Sequence, residues 1–225
     1  MSLPTPVLDL AADVVPDAEM RGQLSFAYAH GAYLSGIGAV QEFGLTCVWD
    51  ERHVPDAAPS QADHVTQADF DQMLKTVTTG DGWADPRRLP LADIAGFAYG
   101  ILLSDEEGAG TAARGTLSEF PYALAERCGT EVKKDRDDVA DELVREGDPW
   151  RRADLLSNAM YRAYVAWFAN NGYYFPSVQR RAEYVQYFGM DAQVPQAELA
   201  IWRCTQAIDF RNSYREFMDL ILQDI

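Results

Sequence analysis

Leu156, Met160, Ala163 and Trp167 follow one another at steps of four, three and four residues, and Phe210, Tyr214, Phe217 and Ile221 repeat the rhythm near the C-terminus. An α-helix turns once in about 3.6 residues, so each set falls on one apolar stripe that has to be buried against another element. Consecutive stripes joined by short polar breaks confine this half of the chain to an antiparallel helical bundle. Gly172 supplies the stop after the first stripe. Ser177 reads as the N-cap of a helix ending at Gly189, and Pro195 as the opening of the last helix. Upstream, Pro121 begins a short helix ending near Gly129, and Asp137 to Arg145 carries Val139 and Leu143 at i, i+4 spacing.

The N-terminal half follows a different period. A short amphipathic segment around Val7, Leu10 and Val14 is interrupted at Pro16. Leu24, Phe26 and Tyr28 then alternate, which predicts a half-buried strand running to His30. The turn GAYLSGIG follows, and the run FGLTCVW ending at Asp50 and Glu51 predicts a buried strand. A short strand is expected just before Thr66. Thr66 and Asp69 then mark a helix start for Phe70, Met73, Leu74 and Val77, with a stop at Gly80. Leu91 to Leu103 reads as one buried helix. The change of period predicts an α+β chain, with a small mixed β-sheet in an α/β domain over residues 1–113 and a helical bundle over 114–225.

Charge and cysteine usage narrow the function classes. Nineteen Lys and Arg against 35 Asp and Glu give a net charge of −16, which repels phosphate backbones and anionic lipid, so neither nucleic acid nor membrane is an expected partner. No apolar run approaches the ~20 residues that span a bilayer, and no export signal is visible. Cys47, Cys128 and Cys204 lie far apart, without disulfide or zinc spacing, which places the protein in a reducing, cytoplasmic setting. His30, His53 and His64 are isolated and predict no metal-binding pair. Ser25, Ser35 and Ser118 lack a nucleophile elbow.

The segment HGAYLSGIGAVQEFGLTCVWDE, residues 30–51, resembles the signature of the polymerase-β-like nucleotidyltransferase superfamily. In intact members a strand leads into Gly-Ser, a second Gly follows, and an Asp-x-Asp pair lies on the next strand. Glycines let the backbone approach a triphosphate, and alternate carboxylates on a strand point to one face, where they hold two Mg²⁺ ions. The resemblance continues through LPLADIAGFAYGILLSDEEG. It extends into LLSNAMYRAYVAWFANNGYYFPSVQRR, which is similar to the helical C-terminal half of antibiotic-type (kanamycin-type) nucleotidyltransferases. It implies a nucleotidyltransferase-like domain followed by the bundle, with Gly31, Ala32, Gly36 and Arg180 at the nucleotide, Glu42 as the catalytic carboxylate, and Glu42 and Asp63 as magnesium ligands. A nucleoside triphosphate and a small-molecule or protein acceptor would be its substrates, and relatives of this type often pair through the helical half, which implies a homodimer.

The signature is worn. Ala32 stands at the serine position, and the alignment puts Gly44 where the second carboxylate belongs. The expectation is therefore a catalytically degenerate relative with a nucleotide-binding or regulatory role. The alternatives are active Mg²⁺-dependent nucleotide transfer, and a helical interaction protein in which residues 31–44 are an ordinary tight turn. Asp50 and Glu51 read either as metal ligands or as a solvated strand end, and Arg180 and Arg181 either as triphosphate contacts or as surface charges. Tyr161, Tyr164, Tyr173, Tyr174, Phe175, Tyr184 and Tyr187 make the bundle rich in aromatics, which suit a ligand pocket or a core.

Overall fold

The computed structural model describes residues 4–21, 23–37, 42–50, 52, 54–56, 58–79, 89–177 and 179–225. Glu51, His53 and the expected helix stop at Gly80 lie outside them. Its α+β architecture divides into two units. The first takes residues up to Val77 together with Pro90–Glu119, and the second takes Phe120–Ile225 with Thr78, Thr79 and Leu89. Among the described residues no helix is long and apolar enough to cross a membrane.

The first unit is built on four strands, β1 (Leu24–His30), β2 (Gly44–Trp49), β3 (Asp63–Thr66) and β4 (Ile101–Ser104), in the order β3-β2-β1-β4. β1 runs antiparallel to β2 and β4, and β2 runs parallel to β3, so the sheet is mixed. Side chains alternate across a strand, and the sequence gives each face its own filling. Ala27 and Ala29 of β1 with Leu45, Cys47 and Trp49 of β2 pack against Val7, Val14 and Ala18 of helix α1 (Thr5–Arg21). The two alanines leave room for that helix. On the opposite face Phe26 meets Phe70 edge-on at 5.1 Å and Tyr28 meets Phe97 at 5.0 Å, joining β1 to α2 (Gln67–Thr79) and α3 (Leu91–Tyr99). Thr66 caps α2 as its spacing from Asp69 predicts, accepting from the Asp69 N–H at 3.1 Å and donating to its carboxylate at 2.7 Å.

Two expectations for this unit are corrected. α1 continues through Pro16 as a single helix. The Leu91–Leu103 stretch is a helix and then a strand, because Gly100 breaks it: a Cβ there would lie 2.4 Å from the Ala29 carbonyl oxygen and 2.5 Å from that of Gly96. α4 (Ala109–Thr116) is tied to this unit through Arg114, which donates to the carbonyls of Phe97 and Gly100 at 3.2 and 2.7 Å.

The second unit holds α5 (Tyr122–Arg145), α6 (Pro149–Asn170), α7 (Arg181–Tyr187), α8 (Gln193–Trp202) and α9 (Ala207–Leu222). The first sequence stripe is buried as expected, with Leu156, Met160, Ala163 and Trp167 on α6, and on α9 Tyr214, Phe217 and Ile221 are buried while Phe210, the first of its stripe, is half-buried. α5 is one long helix where the sequence suggests two segments. Gly129 lets it pass close to α6, because a Cβ there would meet Asn170 Nδ2 at 3.2 Å. Pro195 lies in the first turn of α8, and α9 is a separate helix. Ser177 does not cap α7: its hydroxyl accepts from the Gln179 N–H at 3.0 Å, and α7 begins four residues later.

Candidate functional site

The β1–β2 pairing sets Tyr28 opposite Thr46 and His30 opposite Gly44. Residues two apart on a strand share a face, so these four form a polar patch at the end of the aromatic face. Parallel pairing of β2 with β3 brings Asp63 beside Thr46. Tyr28, His30, Thr46 and Asp63 line a cleft of about 420 Å³ together with His64, Val65, Met73 of α2, and Ala92, Asp93 and Gly96 of α3.

The groups in this cleft are linked. The His30 Nε2 lies 3.1 Å from the Thr46 hydroxyl and 4.0 Å from an Asp63 carboxylate oxygen. Burial pushes the Tyr28 hydroxyl up to about 12. It pushes the His30 imidazole below its ordinary value of 6.5, against the opposing pull of Asp63 and Asp93, so at neutral pH the ring is uncharged. His64 is held differently. Its Nδ1 accepts from the Trp49 indole at 3.2 Å, which leaves Nε2–H to donate to the Pro59 carbonyl at 2.7 Å.

The expected residues divide. Asp63 lines the cleft, whereas Gly31, Ala32, Gly36 and Glu42 do not. Those four belong to a single-turn 3₁₀ helix (Ala32–Ser35) and the chain that returns over it. Its N–H groups donate to backbone carbonyls, Tyr33 to Glu42 at 3.1 Å, Leu34 to Gly31 at 3.2 Å, Gly36 to Tyr33 at 3.0 Å and Ile37 to Ala32 at 3.1 Å. Gly31 has φ 114, and a Cβ there would stand 2.5 Å from the Glu42 carbonyl oxygen, so its freedom is used to let residues 42–43 pass. Glu42 precedes β2 and meets the turn through its main chain. At Gly44 a Cβ would lie 2.9 Å from His30 Cε1 and 3.1 Å from Nε2: the imidazole occupies the space of any side chain at that position. Among the described residues no three His, Cys, Asp or Glu side chains stand together in a way that would hold a metal ion.

In the second unit Arg180 adopts a left-handed backbone, φ 54, just ahead of α7, and pairs with Glu183 at 3.4 Å. Its neighbour Arg181 grips the carboxylate of Glu198 on α8, with Nε 2.9 Å from each oxygen and Nη2 closing the fork. Tyr164 donates to the same carboxylate at 2.6 Å and the Trp202 indole at 3.3 Å. Tyr28, Thr46 and Asp93 were not singled out from the sequence, although alternation along β1 and β2 marks the first two as sharing a face with His30. Glu198 was also missed, and its signal is plain in retrospect: with Val194 and Ile201 it falls at steps of four and three on a buried helical stripe, where a carboxylate is out of place.

No protein-family model matches the chain, and no curated protein matches it. Among solved structures it aligns with a nucleotidyltransferase-like protein from Exiguobacterium sibiricum 255-15, at a TM-score of 0.48 and 10% identity, over 96% of this chain and 74% of that one.

Proposed function

We propose that the first unit is a nucleotidyltransferase-like module that binds a small amine-bearing ligand in its sheet cleft and carries out no metal-dependent nucleotide transfer, so that its role is recognition or regulation. The observation that carries this reading is the packing of the His30 ring over Gly44, which fills the place of the second metal-holding carboxylate. Two-metal transfer requires negative ligands for both ions, and here one strand position holds a glycine beneath an uncharged imidazole. The lining also favours a cation over a triphosphate. It contains Asp63 and Asp93 and neither Lys nor Arg, so a polyphosphate would meet charge of its own sign. The turn at Gly31 and Gly36 adds little attraction for phosphate, since four of its N–H groups already donate to carbonyls.

The test is thermal unfolding at low ionic strength with ATP and Mg²⁺, with adenosine, and with spermidine. A ligand at ten times its Kd stabilises by about 1.4 kcal/mol, or roughly 3–6 °C for a chain of this size. Spermidine is expected to produce such a shift, and the double substitution Asp63→Asn, Asp93→Asn to abolish most of it. ATP with Mg²⁺ is expected to produce none. A shift with ATP and Mg²⁺ that disappears in Asp63→Asn would restore the transferase reading, and a spermidine shift indifferent to both aspartates would remove the cleft from consideration.

A further inference from the structure

The second unit contains a cavity of its own, about 330 Å³, lined by Ser157, Met160, Tyr161, Tyr164, Phe175, Arg181, Glu198 and Trp202. Its walls are aromatic and already ordered. Tyr164 and Phe175 stack at 5.9 Å with an interplanar angle of 13°, and Tyr161 meets Phe175 edge-on at 5.7 Å. Trp202 keeps 43% of its surface exposed while its indole N–H is tied to Glu198. An exposed tryptophan tethered in this way lines the cavity and meets a ligand at little further entropic cost.

The floor explains why a carboxylate is kept there. Glu198 is 5% exposed, and it accepts from Arg181, Tyr164 and Trp202. A buried ion pair is seldom worth more to folding than well-packed apolar side chains of the same volume. What this one does is hold two wall residues, Tyr164 and Trp202, at fixed angles, which is how a binding site is preorganised. The Arg181 charge cancels that of Glu198, so the cavity exerts no net attraction on ions. Planar walls, a neutralised polar floor and the hydroxyl of Ser157 together select an uncharged flat ring with polar edges.

We propose that this cavity is a binding site for a neutral planar heteroaromatic molecule of one or two rings, held between Trp202 and the Tyr161–Phe175 wall, with the Arg181–Glu198 pair as a positioning device. The site stands independently of the first unit's cleft.

Saturation-transfer NMR on the full chain tests it, with adenosine and indole as neutral probes and benzoate as an anionic control. Ring protons of at least one neutral probe should receive saturation, with binding weakened about tenfold or more by Trp202→Ala. That side chain is half exposed, so the variant keeps its fold. Glu198→Gln should weaken binding as well, with circular dichroism checking that it is folded, whereas Asp63→Asn and Asp93→Asn should leave it unchanged. Absence of transfer from both neutral probes overturns the proposal, as does stronger binding of benzoate, or binding that Trp202→Ala leaves intact.

Discussion

The contact between His30 and Gly44 can be measured as a coupling free energy. Gly44→Ala places a Cβ 2.9 Å from His30 Cε1 and 3.1 Å from Nε2, distances that force the ring away from the Thr46 hydroxyl, 3.1 Å off. Overpacking of this kind costs about 1–3 kcal/mol, and the lost hydrogen bond about 1 kcal/mol more if the ring finds no other partner. Against this, replacing glycine by alanine on an extended strand stabilises by about 0.4–1 kcal/mol through the unfolded chain. The net expectation is a destabilisation of about 1–2.5 kcal/mol. In a His30→Ala background the obstacle is gone and only the backbone gain remains, so the same substitution should stabilise by about 0.5 kcal/mol. The sign reverses, and the coupling between the sites should be about 1.5–3 kcal/mol. Urea unfolding of the four proteins reads this as midpoint shifts at constant m-value. Additivity within 0.5 kcal/mol would refute the packing argument and reopen position 44 to a carboxylate.

Three further outcomes follow from the same physics. Burial holds the His30 imidazole below 6.5 despite Asp63 and Asp93, so its contribution to stability is complete above pH 6.5 and is lost as pH falls through the folded-state value; His30→Ala should erase the part of the acid decline that begins near pH 6.5 in urea titrations across pH. Glu198 is desolvated, yet hydrogen bonds from Arg181 and Tyr164 outweigh that and hold its carboxyl below 4.5, so the part of the decline that begins near 4.5 should persist in that variant. Burial pushes the Cys47 thiol up to about 11 and raises Cys128 as well, while Cys204 is half-buried, so a disulfide reagent should titrate one thiol in the native protein and three in denaturant. Asp148 caps α6 by accepting from the N–H groups of Trp150 at 2.8 Å and Arg151 at 3.3 Å; Asp148→Ala should cost about 1 kcal/mol by urea unfolding.

The elements were legible in the sequence wherever a period ran unbroken. β1 appears over the residues its alternation marks, and both bundle stripes turn toward the core with only Phe210 half-buried, because amphipathic spacing is a local property that burial enforces. Leu91–Leu103 failed for a tertiary reason: its apolar residues suit helix or strand, and only the approach of Gly100 to the Ala29 carbonyl decides where one becomes the other. The two segments of α5 merge because Gly129 serves a close helix crossing and so is no terminator. At the site the limit is sharper. Asp63 was visible, and so were the glycines, but a glycine that admits a phosphate and one that admits a passing main chain are identical in sequence. What fills the space above Gly31 and Gly44 is set by residues 42–43 and by His30, through a pairing register that a one-residue shift would invert.

The two carboxylate sites lead to opposite salt dependence, and this separates the two binding proposals without a mutation. Asp63 is 81% exposed at its side chain and shares its cleft with Asp93 and no cationic side chain, so attraction of an amine there acts through water. The Debye length shortens from about 30 Å at 0.01 M salt to about 3 Å at 1 M, and most of that attraction should vanish across the range. Glu198 is buried against Arg181, and the pair presents no net charge to a ligand. Binding of a neutral ring there rests on apolar contact with Trp202 and Phe175, which added salt leaves in place or strengthens. Isothermal titrations at both ionic strengths should therefore show spermidine affinity falling by an order of magnitude or more, with adenosine or indole affinity unchanged or rising. Equal loss for both would mean that the net charge of −16, acting from the whole surface, governs association, and that neither cavity discriminates by its own lining.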